Sequence, residues 1–169
     1  MIRACVASDF DTILAIINEA AEAYRGVIPA DCWHEPYMSA DELRRETGAG
    51  IAFSGFEHEG ALVGVMGVQP VRDVVLIRHA YVLSAHRRRG IGANLLEHLL
   101  ARTEPPVLIG TWAAATWAIR FYEKYGFALV AADLKERLLR QYWTVPERQI
   151  ATSVVLADAR GQRHFYGHR

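Results

Sequence analysis

The stretch His86-Arg-Arg-Arg-Gly-Ile-Gly92 carries the most pointed chemistry in the sequence. It lies between an apolar run ending near Leu83 and a run of helical spacing beginning near Gly90. A strand–turn–helix of this kind leaves several backbone N–H groups unused at the helix start. Those donors and the helix dipole favour an anion. Glycines have no Cβ, so phosphate oxygens can approach the backbone. Arg87, Arg88 and Arg89 add fixed charge and paired donors. The pattern is not the dinucleotide fingerprint, which needs three glycines opening the first helix of a βαβ unit. It is not an NTPase phosphate loop either, because no Gly-Lys-Ser/Thr follows. A structural turn with a solvated basic cluster is the plain alternative.

Strands are expected at residues 2–6, 51–58, 61–69, 74–83, 107–112, 127–131 and 150–157. Glu59-Gly60 reads as a hairpin turn, and residues 70–73 as another. Ser8 and Ser39 each open a capping box. The helix after Ser8 carries Phe10, Ile13, Ile17, Ala20, Ala21 and Tyr24 on one face and ends at Gly26 and Pro29. Further helices are expected at residues 39–48, 92–102, 116–125 and 134–142. Strands that come first as an antiparallel run and later alternate with helices predict an α/β fold. Its sheet is mixed, mostly antiparallel, of about six to seven strands flanked by helices.

The chain has 169 residues, half of them apolar and 22% charged. That predicts one globular domain over residues 1–169, with residues 159–169 a basic C-terminal tail. No repeat or linker divides it. Formal net charge is zero, so neither a strongly basic nucleic-acid binder nor a membrane-surface protein is expected. With no signal-peptide pattern and no apolar run of roughly 20 residues, the expected location is cytoplasmic. The zero conceals a split. Residues 1–60 hold 11 acidic and 4 basic side chains, and residues 61–169 hold 8 and 15, giving −7 and +7. Cys5 and Cys32 form no CxxC pair and read as free thiols, and no metal site is expected.

Arg87-Arg88-Arg89-Gly90-Ile91-Gly92 resembles the R/Q-x-x-G-x-G/A motif of the GNAT superfamily of N-acetyltransferases, with Val82 near the end of the preceding strand. Downstream, Ala118-Ile-Arg-Phe-Tyr-Glu-Lys-Tyr-Gly-Phe127 is similar to that family's A-I-x-F-Y-E-K-x-G-F segment. The resemblance is strongest over residues 74–130. It implies acetyl-CoA as co-substrate and no metal. It implies that backbone groups of Ala80, Tyr81 and Val82 hold the pantetheine arm and the acetyl carbonyl. Arg87, Arg88, Arg89, Gly90, Ile91, Gly92 and Ala93 would wrap the pyrophosphate. Tyr122 would also touch the cofactor and protonate the departing thiolate.

The sequence departs from that family in three places. Ala115 stands where an asparagine is common. Leu76 and Gly110 stand where a glutamate serves as general base in some members. The base is therefore sought among His79, His34, Glu35 and Glu57, with His79 on the motif strand itself. An acceptor amine would be lined by the loop after the first helix, where Asp31, Trp33, Glu35 and Tyr37 combine aromatic walls with carboxylates. The plain alternative is a solvent-facing loop with Trp33 and Tyr37 tucked inward.

The resulting expectation is an acetyl-CoA-dependent N-acetyltransferase acting on a small-molecule primary amine by direct attack in a ternary complex. No Cys or Ser stands in a nucleophile motif, which argues against an acyl-enzyme. Two alternatives remain: a non-catalytic acyl-CoA-binding sensor, and a protein acetyltransferase acting on N-terminal amines or lysines. No nucleic-acid or membrane partner is expected, and a homodimer is left open.

Overall fold

The computed structural model describes residues 1–167. Seven strands form the expected mixed, mostly antiparallel sheet of an α/β fold with flanking helices. The described chain gathers into two compact units. The first comprises residues 1–25, 34–69 and 77–104; the second comprises residues 26–33 and 70–76 and the chain from Pro105 onward.

In the first unit, β1 (Ile2–Ala4), β2 (Ala52–His58), β3 (Ala61–Val71) and the greater part of β4 (Val74–Val82) lie side by side in that order. β2 alternates buried and part-exposed residues, the mark of a strand with one covered face. β3 is buried continuously from Leu62 to Gly67, so both of its faces are covered. Glu59 and Gly60 both have positive φ, +52° and +80°, and make the expected two-residue hairpin turn between β2 and β3. The next turn is tighter than expected. Pro70 stays in β3, and Arg72 at φ +51° reverses the chain.

Helix α1 (Phe10–Ala20) buries Ile13, Ile16, Ile17 and Ala20 at helical spacing. The three isoleucines pack with Leu43 of α2 (Ala40–Gly48), Phe53, Leu62 and Val65. Ser39 caps α2 as expected, its Oγ accepting the Glu42 N–H at 3.1 Å. Ser8 does not cap α1. Asp9 stands at the N-cap without a capping bond, because Arg3 (2.8 and 3.0 Å) and the Val6 N–H (2.7 Å) hold its carboxylate.

In the second unit the start of β4 is followed by β5 (Val107–Trp112), β7 (Ser153–Ala157) and β6 (Ala128–Leu129). Both β5–β7 and β6–β7 are antiparallel. The core joins Val74, Leu76, Leu108 and Val155 to Leu134, Leu138, Leu139 and Tyr142 of α5 (Ala132–Tyr142). Two expectations change here. The last strand begins at Ser153, because residues 147–152 form helix α6 behind Pro146. The expected tail is instead helix α7 (Ala159–Tyr166), capped by Asp158, whose Oδ1 accepts the Gly161 N–H at 2.8 Å. Residues 168 and 169 of that tail lie outside the described residues.

Candidate active site

The segment between β4 and α3 (Ile91–Leu100) is shaped by left-handed backbone. After a 3₁₀ turn at Ser84–His86, Arg88 has φ +62° and Gly90 φ +76°. Gly90 is the N-cap of α3 and offers no capping side chain. The Asn94 N–H closes the first turn onto the Gly90 carbonyl at 2.9 Å. The N–H groups of Ile91, Gly92 and Ala93 therefore open the helix without intrahelical acceptors. Gly64 of β3 seats this helix: a Cβ there would meet Ile91 Cγ2 at 2.9 Å.

Helix α1 fastens the loop at two points the sequence did not signal. Glu19 accepts the Ser84 N–H at 3.0 Å, and the Arg87 guanidinium donates to the Ala20 carbonyl at 3.0 Å. Arg87 is thus partly committed to holding the loop. Arg88 and Arg89 are exposed.

Upstream on β4, Ala80, Tyr81 and Val82 are half-buried. His79 has φ +54°, a value rare for a residue with a side chain. Its ring stacks between Phe53 and Tyr81, with centroids at 6.2 and 6.5 Å. This settles its facing: His79 and Tyr81 share one face of β4. Nε2 of His79 meets Glu46 Oε2, and Glu46 Oε1 accepts from Arg78 at 3.0 Å. Burial alone would push the Glu46 carboxyl up. The hydrogen bond from His79 and the charges of His79, Arg78 and Arg45 outweigh it, so Glu46 titrates below its ordinary value.

Tyr81 also meets Tyr24 and Tyr37. The Tyr24 ring lies 5.6 Å from Tyr37 and 6.3 Å from Tyr81. Burial, with the two neighbouring hydroxyls, pushes the Tyr81 phenol well above its ordinary value. Tyr37 therefore belongs to a tyrosine cluster of the first unit. Glu35 is exposed and salt-bridged to Arg25 at 2.8 Å. Glu57 is held by Arg3 at 2.6 Å, and His34 is exposed.

In the second unit, Tyr122 of α4 (Thr116–Lys124) is 6% exposed, packed edge-on against Phe121 and Phe127 at 5.1 and 5.9 Å. Asp31 is exposed and pairs with Arg148 at 2.8 Å, and Trp33 is half-buried.

The family model for acetyltransferases of the GNAT family matches residues 13–127, more than half of the chain. The chain belongs to the GNAT acetyltransferase family. No curated protein matches it. Among solved structures it is similar to the PaiA N-acetyltransferase of Thermoplasma acidophilum in complex with coenzyme A. That match has 17% identity and a TM-score of 0.67, and covers 94% of this chain and 97% of the other. A GNAT acetyltransferase from Elizabethkingia anophelis with acetyl-CoA bound matches at 17% identity and TM-score 0.63, covering 94% and 96%. A ribosomal-protein-alanine N-acetyltransferase from Brucella melitensis matches at 25% identity and TM-score 0.58, covering 78% and 86%.

As a GNAT acetyltransferase, the protein is an acyltransferase that uses acetyl-CoA. Its loop fits that donor: unbonded N–H groups and two exposed arginines surround a left-handed turn at the start of a ten-residue helix. The departures from the family also have structural explanations. Leu76 is fully buried in an apolar cluster. A side chain at Gly110 would meet Trp143, 3.2 Å from the ideal Cβ. Ala115 is fully buried at the N-cap of α4, without the cap bond an asparagine would offer. Neither position 76 nor position 110 holds a base in this enzyme. Among the described residues no group of three or more His, Cys, Asp or Glu could hold a metal ion, and no helix is long and apolar enough to cross a membrane.

Proposed function

We propose that this enzyme transfers the acetyl group of acetyl-CoA to a primary amine by direct attack, without an acyl-enzyme. The backbone of Ala80, Tyr81 and Val82 holds the pantetheine arm and the acetyl carbonyl. The residues from Arg87 to Ala93 hold the pyrophosphate. His79 takes a proton from the acceptor ammonium, and the amine nitrogen attacks the thioester carbon. The C–N bond forms, the C–S bond breaks, Tyr122 donates its proton to the departing thiolate, and the second proton that the acylated nitrogen gives up restores the Tyr122 phenol through solvent. Trp33 and Tyr37 give the acceptor aromatic surroundings. Asp31 and Glu35 meet an ammonium only by exchanging Arg148 and Arg25 for it.

The observation that best supports catalysis over mere acyl-CoA sensing is His79 of the motif strand, fixed in an unusual backbone conformation beside the Glu46 carboxylate. A panel of small amines, run with acetyl-CoA and longer acyl-CoAs and read by thiol release, tests the reading. Turnover of at least one amine is expected, while binding without thiol release overturns it. A parallel peptide panel, including peptides with N-terminal alanine, tests the second reading, which the Brucella relative favours. Tyr122→Phe is expected to lower kcat roughly 100-fold while leaving acetyl-CoA binding nearly intact. Unchanged turnover with chemistry rate-limiting removes Tyr122 from the mechanism.

A further inference from the structure

Glu46 lies on α2, 33 residues from His79 in sequence, and no motif includes it. Yet it sits at the centre of a connected polar chain. Arg78 donates to Gln69 Oε1 at 3.1 Å and to Glu46 Oε1 at 3.0 Å, and Glu46 Oε2 faces His79 Nε2. Gln69 in turn donates to the Ala49 carbonyl at 3.2 Å, just past the end of α2. Glu46 is 18% exposed and His79 13%. A carboxylate and an imidazole are rarely taken this far from water without a function or full pairing. Here the pairing is complete around the carboxylate and leaves one ring nitrogen, Nδ1, unused by Glu46.

We propose that Glu46 is a positioning residue for acetyl transfer. It accepts the Nε2–H of His79, fixes the tautomer with a bare Nδ1, and so makes Nδ1 the atom that takes the ammonium proton. The inference rests on His79 being the base. An ionised carboxylate on Nε2 orients the ring and stabilises the imidazolium that forms when Nδ1 is protonated. Arg78 occupies the other carboxylate oxygen, so Glu46 presents a single oxygen to the ring and stays charged. Also near the ring are Phe53 from β2 and Tyr81 from β4, with Tyr24 and Tyr37 next to Tyr81 and the Arg45 charge acting on Glu46. None of these carries a competing negative charge at neutral pH. The proton balance is simple. One N–H bond of the ammonium breaks, Nδ1 gains the proton, and the imidazolium returns it to water after product leaves.

The test uses the full chain with acetyl-CoA and the best amine of the panel. Glu46→Gln keeps the shape and removes the charge. It is expected to lower kcat about tenfold or more while the KM for acetyl-CoA changes little. His79→Ala falls further and recovers when imidazole is added to the assay. The double variant is no slower than His79→Ala alone, because Glu46 acts through His79. A purely structural Glu46 would instead give multiplying losses and a raised KM. Wild-type kcat in Glu46→Gln, or losses that multiply, overturns the proposal. If Glu46→Gln does not fold, nitrogen-15 NMR of the wild-type imidazole decides: Nε2–H with bare Nδ1 supports it, and Nδ1–H overturns it. Full activity in His79→Ala is a different failure, since it removes the base itself.

Discussion

Glu46 in the first unit and Asp31 in the second make ion pairs of nearly equal length, 3.0 Å to Arg78 and 2.8 Å to Arg148. Their settings differ. Glu46 is 18% exposed, whereas Asp31 is 60% exposed with an arginine that is 54% exposed. Water and salt screen the outer pair, and two long side chains must be ordered to make it. The inner carboxylate has lost most of its water, so its partners must replace it. Asp31 looked in sequence like a site for an ammonium. No motif in the sequence includes Glu46. Bond length does not separate the two; burial does.

The largest expected effect is on the inner carboxylate. Glu46→Ala leaves Arg78 and His79 part-buried without their shared partner, and should lower unfolding free energy by roughly 2–4 kcal/mol in urea titration. A loss no larger than that of Asp31→Ala would erase the contrast.

Gly90→Ala should come next. It forces a Cβ into a left-handed turn and should cost about 1–2 kcal/mol. Because nothing lies within 4 Å of the added atom, the loss is conformational rather than steric. A weakened affinity for coenzyme A, measured by calorimetry, should accompany it.

The pH limits sharpen the comparison from both sides. The hydrogen bond from Arg3, followed by that from the Val6 N–H, lowers Asp9 of the first unit from 3.8 to about 2. A carboxyl lowered by folding stabilises the fold above its unfolded value. That contribution is lost as pH falls from about 4 toward 2. Glu46 is lowered too, so Glu46→Gln should flatten the acid limb of a melting-temperature profile. In the second unit, burial and then the hydrogen bond to Asp73 raise Tyr142 from 10.0 to about 12. Its contribution is complete below pH 10 and is lost as pH rises toward 12. Tyr142→Phe should remove that alkaline step.

The smallest effect belongs to Asp31→Ala, whose melting temperature should match the parent within error at physiological salt. A clear loss there would mean that the outer pair is not screened.

Much of this organisation was legible in the chain. Local rules placed the Ser39 cap, the Glu59-Gly60 hairpin and the helical face of Ile13, Ile17 and Ala20, because each depends on residues within a few positions. The same rules failed at Ser8, where Arg3 and Val6 claim Asp9 and leave no capping bond. Asp158 follows them, its side chain opening α7 where a tail was expected. His79 was a candidate base on the motif strand, but strand alternation cannot foresee a left-handed residue inside a strand, so its facing came from the structure.

By itself, the sequence determined the arginine- and glycine-rich turn of Arg87 to Gly92, the strand and helix that frame it, and the family to which they belong. Those are short-range facts of spacing, glycine and charge. Only the tertiary structure decided which carboxylates are buried and what they hold. Glu46 reaches His79 across 33 positions, and Arg148 reaches Asp31 across 117. Pairing at such separations follows from how α2 packs against the motif strand and from where α6 ends up. Neither leaves a mark in the spacing of the residues concerned.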